Sequence, residues 1–279
     1  VRQRVVVGHS SDSQAVTVDA VAGATVTAMV VNEVIMRAAH EVAVSLKLIE
    51  DKASTAQKVA LVRPDLFEPA NWAQLTGNGA VRRLHLTRGQ VDAAFKGTEA
   101  EGVEVAGPGQ ADETFIDLYV ADLNAPTIGR NLLGDAQYRV LMQGLKPSEQ
   151  AIAVLGRGLF SFKGSGYVRG GIFDRVQLRQ FGNVISFRDM DHQRLYDVFA
   201  EGMPEFDEMS VFIVRPQAAF DPGSAWTLEL LVRRQTGPVS GTFSSFELPY
   251  QMPEAYLERP LPTAAEQAAI DEANRPMWL

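Results

Sequence analysis

Residues Val16-Thr17-Val18-Asp19-Ala20-Val21-Ala22-Gly23-Ala24-Thr25-Val26-Thr27 read as a short β-branched strand, a turn of small residues and a helix start. Beyond them Val30, Val31, Val34, Ile35, Ala38, Val42 and Leu46 recur at helical spacing, which predicts a helix from about Ala28 to Lys47. Thr25 or Thr27 stands where a cap is needed. The first amide N–H groups of a helix lack internal partners, and the helix dipole favours negative charge there. Gly23 permits close backbone approach, and Ala22 and Ala24 keep bulk away. A phosphate is a natural occupant of such a place, with the Thr25 hydroxyl at its position and Thr27 as a second donor. The plain alternative is a capping threonine after an ordinary turn.

Working outward, a loop-rich stretch with Pro64, Pro69 and Trp72 leads to a strand at Val81–Leu86. Lys96 to Glu113 is rich in Gly, Glu, Ala and Pro without apolar periodicity, which predicts an exposed loop or linker. A half-buried strand is expected at Phe115–Val120. A helix is expected at Leu132–Leu145, opened by Asn131 and closed by Gly144 and Pro147. Strand patterns follow at Ala151–Leu155, Gly171–Gln180, Ser210–Arg215, Ala225–Arg234 and Thr242–Pro249, with one short helix at about Asp191–Ala200. The class is therefore α+β. It divides into a strand–turn–helix part in residues 1–95, a loop at 96–113, a β-rich domain at 114–252 and a Pro- and Ala-rich tail at 253–279.

The chain has 279 residues, 46% of them hydrophobic, enough for a sizeable core. Its net charge of -8 speaks against a sequence-independent hold on nucleic acid, which needs a basic surface. No apolar run approaches the roughly 20 residues of a membrane span. The start lacks both a signal-peptide core and an initiator Met, so the chain reads as a piece of a longer protein. Cysteine is absent, which removes thiolate metal sites, iron–sulfur ligands and cysteine nucleophiles. Gly156-Arg157-Gly158 and Gly164-Ser165-Gly166 precede a strand pattern rather than a helix, so they read as hairpin turns, not a nucleotide loop. Asp189-Met190-Asp191-His192 reads as a cap before a metal site, and His9, His40, His85 and His192 have no ligand spacing.

Asp19, Gly23, Ala24 and Thr25, extended by Thr27, resemble the flavinylation motif of the FMN-binding domain family found in Na⁺-pumping quinone reductase and Rnf subunits. In that family the motif is Asp-x-x-(Ser/Thr)-Gly-Ala-Thr, and Ala22 here replaces the usual hydroxyl residue. The resemblance implies FMN held covalently by a phosphoester to Thr25. A separate Mg²⁺-dependent flavin transferase using FAD would attach it, with Asp19 a recognition element. The stretches Phe162–Arg175, Phe187–Asp191, Trp226–Val232 and Tyr250–Pro253 resemble the NosR family, membrane flavoproteins of nitrous oxide respiration. That likeness covers nearly the whole chain. It implies a periplasmic domain of an inner-membrane protein, with transmembrane and iron–sulfur domains outside this chain. The implied role is electron transfer to nitrous oxide reductase, or support of its maturation and expression in denitrification. The alternative is a non-redox periplasmic sensing or interaction module with an unmodified motif. Only eighteen residues precede Asp19, fewer than the family's upstream strands need, so part of the flavin pocket is expected to be missing.

Overall fold

The computed structural model describes residues 60–259, apart from 105–106, 165–170 and 239, together with 5–7, 16–18, 35, 38, 39, 42, 43, 45 and 46. Its strands are β1 (Val5–Val7), β2 (Val16–Val18), β3 (Leu61–Val62), β4 (Val81–Thr87), β5 (Thr114–Asp122), β6 (Gln150–Arg157), β7 (Ile172–Gln180), β8 (Asn183–Arg188), β9 (His192–Arg194), β10 (Glu208–Val214), β11 (Trp226–Gln235), β12 (Gly241–Tyr250) and β13 (Leu257–Glu258). Helices lie at Trp72–Gly77, Arg88–Ala94 and Pro126–Gly144. The α+β, β-rich class is the one expected.

Two antiparallel sheets form the body, a five-stranded sheet in the order β4-β5-β6-β10-β9 and a four-stranded one in the order β12-β11-β7-β8. They meet where β12 lies against β4 and β8 against β10. Leu248, Leu228, Leu178 and Ile185 stand opposite one another across all four strands of the smaller sheet, and all four are buried. From the larger sheet Phe212 enters the same core, its ring 5.0 Å from Phe173 and 4.7 Å from Phe187. On the opposite face of the larger sheet, Trp72 and Phe206 cover Tyr119 with ring centroids 5.2 and 5.3 Å away. The larger sheet is thus covered on both sides, which is why β5 and β6 are almost continuously buried. Val81–Thr87 pairs with Thr114–Asp122, so ladder hydrogen bonds join residues on either side of 96–113. That loop is mostly exposed, yet Ala100 is buried and Gly89 N–H reaches the Ala111 carbonyl at 2.8 Å.

Several elements differ from the sequence expectation. The helix begins at Pro126, not Leu132, and breaks at Gly134, whose φ of 72° is left-handed. Asn131 does not open it; its side-chain amide donates to Glu68 O at 2.7 Å and accepts from Ala70 N–H. No helix spans Asp191–Ala200. Asp189–Asp191 is a single 3-10 turn, and His192–Arg194 pairs with β10, satisfying that strand's outer edge. Asp197, with φ 54°, would break a helix there in any case. The glycines of 156–158 make no hairpin, because β6 is flanked by β5 and β10. A Cβ on Gly156 would meet the Phe162 ring at 2.8 Å, so this glycine serves packing. Residues 165 and 166 lie outside the described residues.

The helix at Pro126–Gly144 offers a contrast between two of its glycines. A Cβ on Gly129 would press into the Leu123 carbonyl oxygen at 2.5 Å and into the Tyr138 ring, whereas nothing approaches Gly144 within 4 Å. Gly129→Ala should lower stability by about 1–3 kcal/mol through overpacking. Gly144→Ala should leave it unchanged or raise it by up to about 1 kcal/mol. Urea midpoints measured on both variants check the difference; equal midpoints would contradict the packing described.

Candidate functional site

The sequence-predicted site residues Asp19, Gly23, Ala24, Thr25 and Thr27 lie outside the described residues, as do Ala22, His9 and His40. Their flanks are described. Val16–Val18 is a strand that ends one residue before Asp19, and it pairs in parallel with Val5–Val7. Ile35, Ala38, Ala39, Val42, Ala43 and Ser45 are helical, within the expected span of Ala28–Lys47. Among the described residues, the strand Val5–Val7 stands upstream of the motif strand.

Among the described residues, two carboxylates five positions apart on β5 occupy opposite faces of the larger sheet. Asp117 faces outward beside Tyr119. Its Oδ1 accepts from Arg83 Nε at 2.5 Å, and its Oδ2 accepts from Arg83 Nη2 at 3.0 Å and Arg157 Nη2 at 3.0 Å. The Tyr119 hydroxyl donates to Oδ2 at 3.2 Å, and His85 Nδ1 lies 3.5 Å from Oδ1. The ladder register produces this cluster, because His85, Asp117 and Arg157 stand directly opposite one another on three neighbouring strands. Burial alone would push the Asp117 carboxyl up; hydrogen bonds from the two guanidinium groups outweigh it and hold the carboxyl below its usual range.

Asp122 faces inward, fully buried between the sheets. Its Oδ1 accepts the Asn124 N–H at 3.0 Å, the turn that leads toward the long helix. Its Oδ2 has no partner, and the Tyr250 hydroxyl, which donates to Ala80 O at 3.1 Å, accepts the Asp122 N–H at 3.4 Å. No cation offsets the burial, so its carboxyl is pushed up to about 7, the Asn124 N–H opposing only in part. Burial also raises Tyr250, and the neighbouring Asp122 adds to this.

Other sequence candidates resolve structurally. Asp191 caps its own turn, accepting Arg188 N–H at 3.1 Å and Arg215 Nε at 2.7 Å. His192 Nε2 lies 2.9 Å from Ser210 Oγ between the rings of Phe173 and Phe212. Burial and then the nearby Lys163 charge depress its pKa. Ser210 is wholly buried, so this pair is no exposed nucleophile and base. Sequence reading missed Asp117 and Asp122. The signal was there: a carboxylate at either end of Asp117-Leu118-Tyr119-Val120-Ala121-Asp122, an otherwise apolar strand.

Compared with known proteins, the chain is 69% identical over all 279 of its residues to the Regulatory protein NosR of Stutzerimonas stutzeri. It is 68% identical over 277 residues to the Regulatory protein NosR of Pseudomonas aeruginosa. The chain belongs to the NosR family. It spans 38% and 39% of the length of these two relatives. The Protein NirI of Paracoccus denitrificans is 29% identical over 215 residues, 76% of the NosR-family chain and 29% of NirI. No family model matches the chain, and no solved structure does so significantly. Among the described residues no helix is long and apolar enough to cross a membrane.

The Asp122 environment sets a pH dependence with a definite sign. Its folded pKa of about 7 stands above the ordinary carboxylate value of 3.8. Below the unfolded value both states hold the proton, and the stabilising contribution is complete. As pH rises toward about 7 the unfolded chain releases the proton while the native state keeps it, so stability falls through that window. The expected loss between about pH 5 and about pH 8 is on the order of 3 kcal/mol. Asp122→Asn should flatten this dependence in urea titrations. An unchanged slope in the variant would show that Asp122 is charged in the native protein.

Proposed function

We propose that this chain is the flavin-bearing part of a NosR-family membrane protein, acting on the periplasmic side in electron transfer to nitrous oxide reductase, or in that enzyme's maturation and expression. The observation that carries the reading is Asp19–Thr27, directly after the strand Val16–Val18 and before the helical residues Ile35 to Ser45. A strand, a small-residue turn and a helix are the setting that a phosphate-bearing threonine requires.

The donor set fits FMN. Thr25 offers the hydroxyl for a phosphoester, Gly23 and Ala24 leave room for the phosphate, and Thr27 offers a further donor; Ala22 withholds the hydroxyl usual in the pattern. In attachment the Thr25 hydroxyl oxygen bonds to the flavin-side phosphorus of FAD. The pyrophosphate bond breaks, AMP leaves, and the hydroxyl proton is lost. A flavin transferase supplies the catalysis, since a threonine hydroxyl is a weak nucleophile unaided. Bound FMN would supply one- and two-electron redox chemistry, and the protein its tether and electrostatics. The electron supply and the anchoring belong to transmembrane and iron–sulfur domains outside this chain. An acidic chain of net charge -8 offers nucleic acid no general attraction.

The relatives' name, Regulatory protein, favours a second reading: a non-redox sensing or interaction module whose motif is unmodified. Co-expression with the transferase separates the two, because the first reading requires a yellow protein. Thr25→Ala should abolish in-gel flavin fluorescence after denaturation, Thr27→Ala should retain it, and Asp19→Ala should reduce it. Fluorescence persisting in Thr25→Ala would remove Thr25 as the attachment point. A colourless wild-type protein would favour the module.

A further inference from the structure

We propose that Arg83 and Arg157 form a binding site for one small oxyanion, a phosphate or a carboxylate, on the outer face of the five-stranded sheet. The inference is independent of the flavin reading, because it rests on a different part of the chain.

Charge balance comes first. Asp117 is 1% exposed and needs one cation, yet two guanidinium groups lie on it, with His85 beside them. One full positive charge is therefore in surplus at this point of an otherwise acidic chain. Both side chains remain partly open to solvent, at 49% for Arg83 and 42% for Arg157. Asp207, which reaches the same end of β6, directs its Oδ2 to the Gly158 N–H at 3.0 Å.

Donor geometry comes second. Arg83 uses Nε and Nη2 on Asp117 in a fork, and Arg157 also uses Nε and Nη2, at 3.1 and 3.0 Å. Neither Nη1 group has a protein partner among the described residues. The buried carboxylate thus fixes two long side chains from the strands on either side of β5, and each is partly exposed with a donor group left over. Arg83 is steadied further over the Tyr119 ring, 5.6 Å from its centroid, and that ring is itself held by Trp72 and Phe206. Side chains already ordered by the fold lose little entropy on binding, which favours capture of a ligand by few contacts. Planar guanidinium donors suit the oxygens of phosphate and carboxylate alike.

The test is titration of the full chain with inorganic phosphate, and separately with acetate, at constant ionic strength, followed by NMR of the arginine Nε–H groups. Saturable shifts of the Arg83 and Arg157 signals are expected. Saturation by phosphate alone assigns a phosphate ligand, by acetate alone a carboxylate, and by both an unselective oxyanion site. Arg157→Gln and Arg83→Gln should each weaken binding by about tenfold or more, the loss of charge-assisted hydrogen bonds. Each leaves the other arginine on Asp117. Arg82→Gln removes the same charge from the opposite face of β4 and should bind as the wild type does. Should either Gln variant fail to fold, Arg157→Lys keeps a cation beside Asp117 and should still bind more weakly, since the fork is lost. Absence of saturable shifts with both anions, or wild-type affinity in the Arg157 variant, would overturn the site.

Discussion

The contact on which the described fold rests is the insertion of Phe212 from the larger sheet among Phe162, Phe173 and Phe187. The ring is fully buried, and burying such a side chain contributes roughly 1.5–3 kcal/mol. At the other side of the same interface Trp226 stacks on Tyr250 at 4.5 Å, and the Tyr250 hydroxyl reaches across to the backbone of the larger sheet. Once the two sheets are clamped in this way, one face of β5 is committed to the dry interior and the other to the layer of Trp72 and Phe206. Every polar side chain on that strand is assigned a face by the period-two alternation.

That assignment separates two chemically identical groups. Asp122, inward and without a cation, favours its neutral form; Asp117, outward between two arginines, favours its charged form. The same carboxyl is thus held above its ordinary range at one end of the stretch and below it at the other. Environment alone makes the difference, the general way in which one fold obtains distinct acid–base behaviour from one residue type.

Strands rich in β-branched and aromatic residues are legible in the sequence. Ala225–Arg234 lies where apolar residues recur largely at every second position, while Phe115–Val120, expected as a half-buried strand, is buried on both faces because layers cover both sides of the larger sheet. β8 was missed because its hairpin turn uses Phe181 and Gly182, both with positive φ, and phenylalanine gives no turn signal at such a position. The short helices were missed although each carries a capping box, Asn71 with Gln74 and Thr87 with Gln90. The Asp117 cluster is illegible for a different reason. Its arginines stand 34 and 40 positions away, and only the strand register brings them together. The proposed threonine motif is the opposite case, nine contiguous residues whose pattern needs no tertiary register to be read.

Membership of the NosR family ties the fold to proteins more than twice the length of this chain. The central claim is that the chain bears its flavin on one threonine. The most direct measurement is tandem mass spectrometry of the chain purified after co-expression with a flavin transferase, on the tryptic peptide that runs from Val5 to Arg37. The account predicts that this peptide carries one FMN less one water, with fragment ions placing it on Thr25. An unmodified peptide from a preparation in which the transferase labels a known acceptor, or a flavin placed on any other residue, would contradict it.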